Sequence, residues 1–246
     1  MAVTELTENR LGDCSSPYLQ QHADNPVAWQ PWDDRALQLA RDLERPILLS
    51  IGYSACHWCH VMAHESFADP AIAEVMNRLF VPIKVDREER PDLDQIYQLA
   101  HQLMNRRGGG WPLTAFLTPD QRPFFIATYF PNEPKMGMPG FGEVLEKVAA
   151  FYRDNPDSAA QNGEAVTEGL ARITPAGAET LDGGVVARLR GDLDGDFDRT
   201  NGGWGQAPKF PHAGEVGFCL RRARLDGDEA AGRMALTSLR AMTDGG

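Results

Sequence analysis

The feature that most constrains this chain is a short apolar run followed at once by two closely spaced cysteines. Ile47-Leu48-Leu49-Ser50-Ile51 lacks the polar alternation of a half-solvated strand and reads as an interior strand of a parallel sheet, apolar on both faces. It delivers Gly52-Tyr53-Ser54-Ala55-Cys56-His57-Trp58-Cys59-His60 into the first turn of a helix. Two residues between cysteines on an opening helical turn let the sulfurs approach closely enough for a disulfide, and the positive end of the helix favours thiolate over thiol at Cys56. That is a redox geometry. A zinc ribbon needs a second such pair, and the chain holds one.

The residues around the pair refine that chemistry. His57 lies between the cysteines and, when protonated, stabilises the Cys56 thiolate, while Trp58 shields the pair. Cys56 is then the nucleophile that attacks a target disulfide, and Cys59 the thiol that displaces the mixed disulfide. His60 and His64 are spaced i, i+4, so a Cys2His2 metal set is permitted by spacing alone. One continuous helix carries those histidines a turn or more beyond the cysteines and makes a poor tetrahedral cage, so no metal is assigned. Glu65 and Asp86 are candidate proton-transfer partners for Cys59. The acidic run Asp192, Asp194, Asp196, Asp198 with Asn201 suggests a calcium loop, but Phe197 and Gly203 stand where that loop needs glycine and a closing glutamate. It reads as a solvated helix end.

Periodicity organises the rest. Residues 9–27 are punctuated by Pro, Asn and Gly without a sustained period and read as ordered coil. Asp33 caps a helix bearing Ala36, Leu39, Ala40 and Leu43, which Pro46 stops. Asp69 and Pro70 start another, with Ile72, Val75, Met76, Leu79 and Phe80 on one face. Val81, Ile83 and Val85 make a short strand that Pro82 should confine to a sheet edge. Pro91 opens a helix that Gly108-Gly109-Gly110 ends. Trp111-Pro112 precedes a hairpin of Leu113–Leu117 and Phe124–Tyr129, and a helix from Phe141 to Tyr152 closes the region. The fold class is α/β, a mixed sheet of about four strands flanked by helices, followed by a partial α-helical segment.

Composition excludes several partners. Twenty-four basic against thirty-five acidic residues give a net charge of -11, whereas nucleic acid or an anionic membrane calls for a basic surface. No apolar run approaches a membrane span, and Met1-Ala2-Val3-Thr4-Glu5 has neither the charged nor the apolar region of a signal peptide, so the expectation is a cytoplasmic protein. Cys14 and Cys219 lie far from the pair and read as free structural thiols.

The ordering of elements, with CxxC after the first strand and a proline just before the third, resembles the thioredoxin fold. Ser50-Ile51-Gly52-Tyr53, Cys56-His57-Trp58-Cys59-His60-Val61-Met62, Glu65-Ser66-Phe67, Val85-Asp86-Arg87-Glu88-Glu89-Arg90-Pro91-Asp92 and Gly109-Gly110-Trp111-Pro112-Leu113-Thr114 resemble more narrowly the thioredoxin-like domain of the spermatogenesis-associated protein 20 family. Asn9-Arg10-Leu11, Ser16-Pro17-Tyr18-Leu19, His22-Ala23 and Asn25-Pro26-Val27 fit the same pattern. The resemblance implies a domain over residues 1–155 whose Pro112 is cis and faces the disulfide, with Trp111-Pro112 shaping a substrate groove beside Trp58. Its partner is a protein or small-molecule disulfide or dithiol, with no cofactor. Gly202-Gly203-Trp204-Gly205 and Ala207-Pro208-Lys209-Phe210-Pro211 are similar to the opening of the α/α six-hairpin glycosidase-type toroid of that family. Residues 156–246 are therefore expected to hold only the first hairpin of such a toroid, with an exposed apolar face, in a truncated chain. Two functions follow: a thiol-disulfide oxidoreductase module, or a non-catalytic module that binds a partner or steadies a carbohydrate-handling toroid.

Overall fold

The computed structural model is built on one sheet of five strands, β1 (Gln30–Pro31), β2 (Ile47–Gly52), β3 (Val81–Asp86), β4 (Leu113–Leu117) and β5 (Pro123–Ala127), in the order β1-β3-β2-β4-β5. It describes residues 6, 8–135, 137–173, 184–207 and 209–245, in two units, Met1–Pro175 and Ala176–Gly246. In the first unit β1, β3 and β2 run parallel, and β4 and β5 are antiparallel additions on the other side of β2. Every residue of β2, β3 and β4 is buried, as their apolar sequences require.

Two expectations change here. The sheet gains a fifth strand, β1, whose two residues are too few to show a period of their own. Because β1 pairs with Ile83 and Lys84, β3 is not the sheet edge; Pro82, which cannot donate to a ladder, sits one residue before that pairing starts.

The helices follow their punctuation. Residues 17–20, read as coil, form a short helix α1 (Pro17–Gln20), with Ser16 accepting from the Leu19 amide at 3.1 Å and Pro17 in the first position. α2 (Asp34–Asp42) is capped by the Asp33 side chain on the Ala36 amide, and α4 (Pro70–Leu79) by Asp69 on the Ala71 and Ile72 amides. Between them, α3 (His57–Met62) runs into a π-helical turn at Ala63–Phe67. α5 (Pro91–Asn105) ends on Arg106 in the left-handed region, φ 54°, ahead of the three glycines expected to end it. α6 (Phe141–Asp154) and α7 (Pro156–Ile173) complete the unit. α7 packs on α5, β5 and α6, so the junction near residue 155 is a bend inside this unit rather than its boundary.

Alternation along the central strand splits the apolar residues between the two faces. Ile47, Leu49 and Ile51 join Ile83, Val85, Leu113 and Ala115 in a core covered by Ala36, Leu37, Tyr97 and Ala100. Leu48 and its partner Phe116 face the opposite core, with Tyr18, Trp29, Phe67, Phe80, Phe141, Cys56 and Cys59. The cysteines thus sit over one defined face of the sheet.

The second unit contains α8 (Val185–Asp196), α9 (Ala213–Asp226) and α10 (Glu229–Gly245) around Leu193, Trp204, Val216, Cys219 and Met234. In the acidic run, Asp194 pairs with Arg190 and Arg199, and Asp198 takes Lys209 and the amides of Thr200 and Asn201. Pro208, part of the toroid-like string, lies outside the described residues.

Candidate active site

Cys56 is the N-cap of α3, in extended conformation, and its Sγ accepts from the Cys59 amide at 3.2 Å. The two cysteines are joined in a disulfide with their Cα atoms 5.2 Å apart. An N-cap sulfur faces the unpaired amides of the first helical turn, which is where a thiolate is stabilised. Cys56 is 5% exposed and Cys59 2%, so the pair is nearly covered, with Cys56 the more open.

The end of β2 is shaped around this disulfide. A methyl group added to Gly52 would meet Cys59 Sγ at 2.7 Å and the Tyr18 hydroxyl closer still. On the neighbouring strand the Ile51–Leu113 pairing, carried one step further, sets Pro112 opposite Gly52. The Trp111–Pro112 peptide is cis.

Trp111 is fixed by residues that sequence reasoning left in a solvated turn or on a helix. Its Nε1 donates to Asp94 at 2.8 Å, the Arg87 guanidinium stacks over its ring at 4.1 Å, and Arg87 ion-pairs with Asp94 at 3.2 Å. Tyr53 meets the same ring edge-on at 5.7 Å. Strand register accounts for it: Gly52 pairs with Asp86, so Tyr53 and Arg87 leave adjacent parallel strands side by side.

Trp58 is half exposed; its ring leans on Tyr129, centroids 4.9 Å apart, and meets His57 edge-on at 5.5 Å. Tyr129 donates to Glu65 at 2.7 Å; burial first, and that carboxylate second, push its phenol up to about 12. Trp58, Trp111, Tyr129, Gly110, Met138 and Lys135 line a groove of about 440 Å³. A larger depression of about 550 Å³ between α4 and α6 is lined by Ala71, Val75, Glu143 and Lys147 among others and contains no thiol.

Neither acid considered as a proton partner for Cys59 is free for that task. Glu65 is taken by Tyr129, and Asp86 accepts from the Ser16 hydroxyl at 2.6 Å and the Glu88 amide at 2.8 Å. The permitted metal set does not assemble either: His60 donates through Nε2 to the Ser54 carbonyl at 2.6 Å, and His64 lies in the π-helical turn.

On β3, Lys84 is fully buried. Its Nζ donates to Ser50 at 3.1 Å and faces the rings of Phe67, Trp29 and Tyr18 at 4.6, 4.8 and 5.1 Å. Burial pulls its pKa down to about 7.

A CxxC disulfide capping the helix after the central strand, opposite a cis Trp-Pro link at the head of the next antiparallel strand, defines a thioredoxin-like module. The chain belongs to the Thioredox_DsbH family (protein of unknown function, DUF255), whose model matches residues 8–171. It is 41% identical over 248 residues to the uncharacterized protein B0495.5 of Caenorhabditis elegans, covering 99% of this chain and 34% of that one. It is 40% identical to human spermatogenesis-associated protein 20, covering 97% of this chain and 31% of that one. The chain thus spans about a third of the length of the curated relatives it matches. Among solved structures, DsbH oxidoreductase aligns with a TM-score of 0.37 at 15% identity, over 50% of this chain and 83% of that one. No helix among the described residues is long and apolar enough to cross a membrane.

Proposed function

We propose that the first unit is a thiol-disulfide exchange module acting on a protein or small-molecule disulfide without a cofactor. The observation that carries this reading is Cys56 at the N-cap of α3, bonded through Sγ to Cys59 and the more exposed of the two residues. In the reduced module the Cys56 thiolate attacks one sulfur of the target disulfide, whose other sulfur leaves as a thiolate. Cys59 then attacks Cys56 Sγ, releasing the second target thiolate and re-forming the Cys56–Cys59 bond, so two electrons pass to the target. His57, when protonated, adds to the helix terminus in stabilising the Cys56 thiolate. Pro112 positions the target backbone, and Trp58 and Trp111 contact it from the groove. The proposed setting is the cytoplasm, where the thiol poise drives this reductive direction.

Reduction of insulin by dithiothreitol tests the reading. Wild type is expected to accelerate it, and Cys56→Ser to abolish the acceleration; equal rates for the two would remove the exchange function.

The burial of both cysteines favours a second reading, a non-catalytic module that binds a partner or steadies a carbohydrate-handling toroid. A disulfide that fails to equilibrate with glutathione in the folded protein would support it.

A further inference from the structure

We infer that the Tyr18 hydroxyl is the internal hydrogen-bond donor to Cys59 Sγ, stabilising the Cys59 thiolate when it resolves a mixed disulfide. The inference rests on the exchange reading of the site and adds to it a residue from the N-terminal segment.

The geometry begins at Gly52. A single added carbon there would strike both the Tyr18 oxygen and Cys59 Sγ, so those two atoms flank one carbon-sized space at the end of β2. Glycine keeps that space open, which sets the phenol oxygen and the sulfur no more than about 4.9 Å apart; no hydrogen bond joins them in the disulfide form, and the contact forms once the Cys56–Cys59 bond opens. Tyr18 is held firmly: it is 1% exposed, its helix is capped by Ser16, its ring meets His22 edge-on at 5.3 Å, and its face is turned to Lys84.

The chemistry requires such a donor. Cys59 is 2% exposed, and a thiolate formed there loses its hydration. The other titratable groups around this end of the sheet have partners of their own. From β3, Asp86 is taken by Ser16 and the Glu88 amide, and Lys84 by Ser50 and three aromatic rings. His22 bonds Asn25 at 2.8 Å, Glu65 takes Tyr129, and on the helix of Cys59 itself His60 is bound to Ser54 while His57 stacks on Trp58. Burial and the nearby Asp86 keep the Tyr18 phenol protonated, so it donates and does not compete as a base.

In the resolving step Cys59 gives its proton to water, and its thiolate attacks Cys56 Sγ. The bond between Cys56 and the target sulfur breaks, and the target leaves with that electron pair and takes up a proton from water. Tyr18 keeps its own proton throughout and stabilises the attacking sulfur by one charge-assisted hydrogen bond.

The test is a titration of Cys59 in reduced Cys56→Ser protein, followed through the ¹³Cβ shift of labelled cysteine, with Tyr18 replaced in two ways. Tyr18→Phe should raise the Cys59 pKa by about one unit, and 2,3-difluorotyrosine at position 18, a stronger donor of nearly the same shape, should lower it. With Cys56 present, Tyr18→Phe should slow release of target thiol from a preformed mixed disulfide about tenfold at neutral pH, while alkylation of Cys56 proceeds at the wild-type rate. A Cys59 titration indifferent to both replacements overturns the inference. If the titration follows the phenol but wild type exchanges with no target disulfide, the Tyr18–Cys59 bond stands and the exchange reading falls.

Discussion

Lys84 Nζ lies 3.1 Å from Ser50 Oγ, its register partner on the adjacent parallel strand, and its other near neighbours are the faces of three aromatic rings. A lysine so placed is held well below its ordinary pKa, at about 7, because burial disfavours the charged form. In the unfolded chain the same group titrates near 10.5. Below pH 7 both states are protonated, and folding bears the full cost of burying the charge, up to ~5 kcal/mol. Between pH 7 and 10.5 the unfolded chain holds the extra proton, so this group makes stability rise with pH. Lys84→Met should therefore be more stable than wild type near pH 6, with an advantage that shrinks steadily toward pH 10. Paired urea titrations across that range check it, and a constant difference would contradict the assignment.

Gly52→Ala should be more damaging than a glycine-to-alanine change in a strand usually is. The new methyl would drive into Cys59 Sγ and the Tyr18 hydroxyl, neither of which ends a flexible chain. A loss of about 2–3 kcal/mol in urea unfolding is expected, together with easier reduction of the disulfide by dithiothreitol as Cys59 is displaced.

Ser16 does two jobs with one hydroxyl, accepting from the Leu19 amide and donating to the buried Asp86 carboxylate. Ser16→Ala removes the cap of α1 and leaves a buried carboxylate oxygen short of a donor. The expected loss is about 2–4 kcal/mol, beyond the ~1 kcal/mol of a surface cap, and it should be partly relieved in Asp86→Asn protein.

Asp94 holds both the Trp111 indole and the Arg87 guanidinium. Asp94→Ala should free the indole, destabilise the protein by about 1–3 kcal/mol, and change Trp111 fluorescence in the folded state. Arg87→Ala, which removes the cation stacked on the ring and its ion pair with Asp94 but leaves the indole bond, should cost less, on the order of 1 kcal/mol. Equal losses from the two would mean that the indole hydrogen bond adds nothing to the Arg87 contacts.

The elements legible in the sequence were those whose information is local. The unbroken apolar strand at Ile47–Gly52, the Asp33 and Asp69 caps, the Pro70 and Pro91 starts and the CxxC turn all declare themselves within a few residues, because period and capping depend on near neighbours. What escaped was short or distant. α1 and β1 have too few residues for any period, and the pairing of β1 with β3 alone takes β3 off the sheet edge. Arg87, read as part of a solvated turn, stacks on Trp111 because the β2–β3 register brings the two strand ends together.

The sequence by itself determined that two cysteines would meet at a helix mouth behind a buried strand, since the spacing of two residues and the apolar run suffice for that. Only the tertiary structure decided what surrounds them: Tyr18 and Gly52 against Cys59, Tyr129 beneath Trp58, and Lys84 walled in by rings. Those contacts join residues far apart along the chain, and they arise from strand register and the packing of one core face, which no local pattern of residue types encodes.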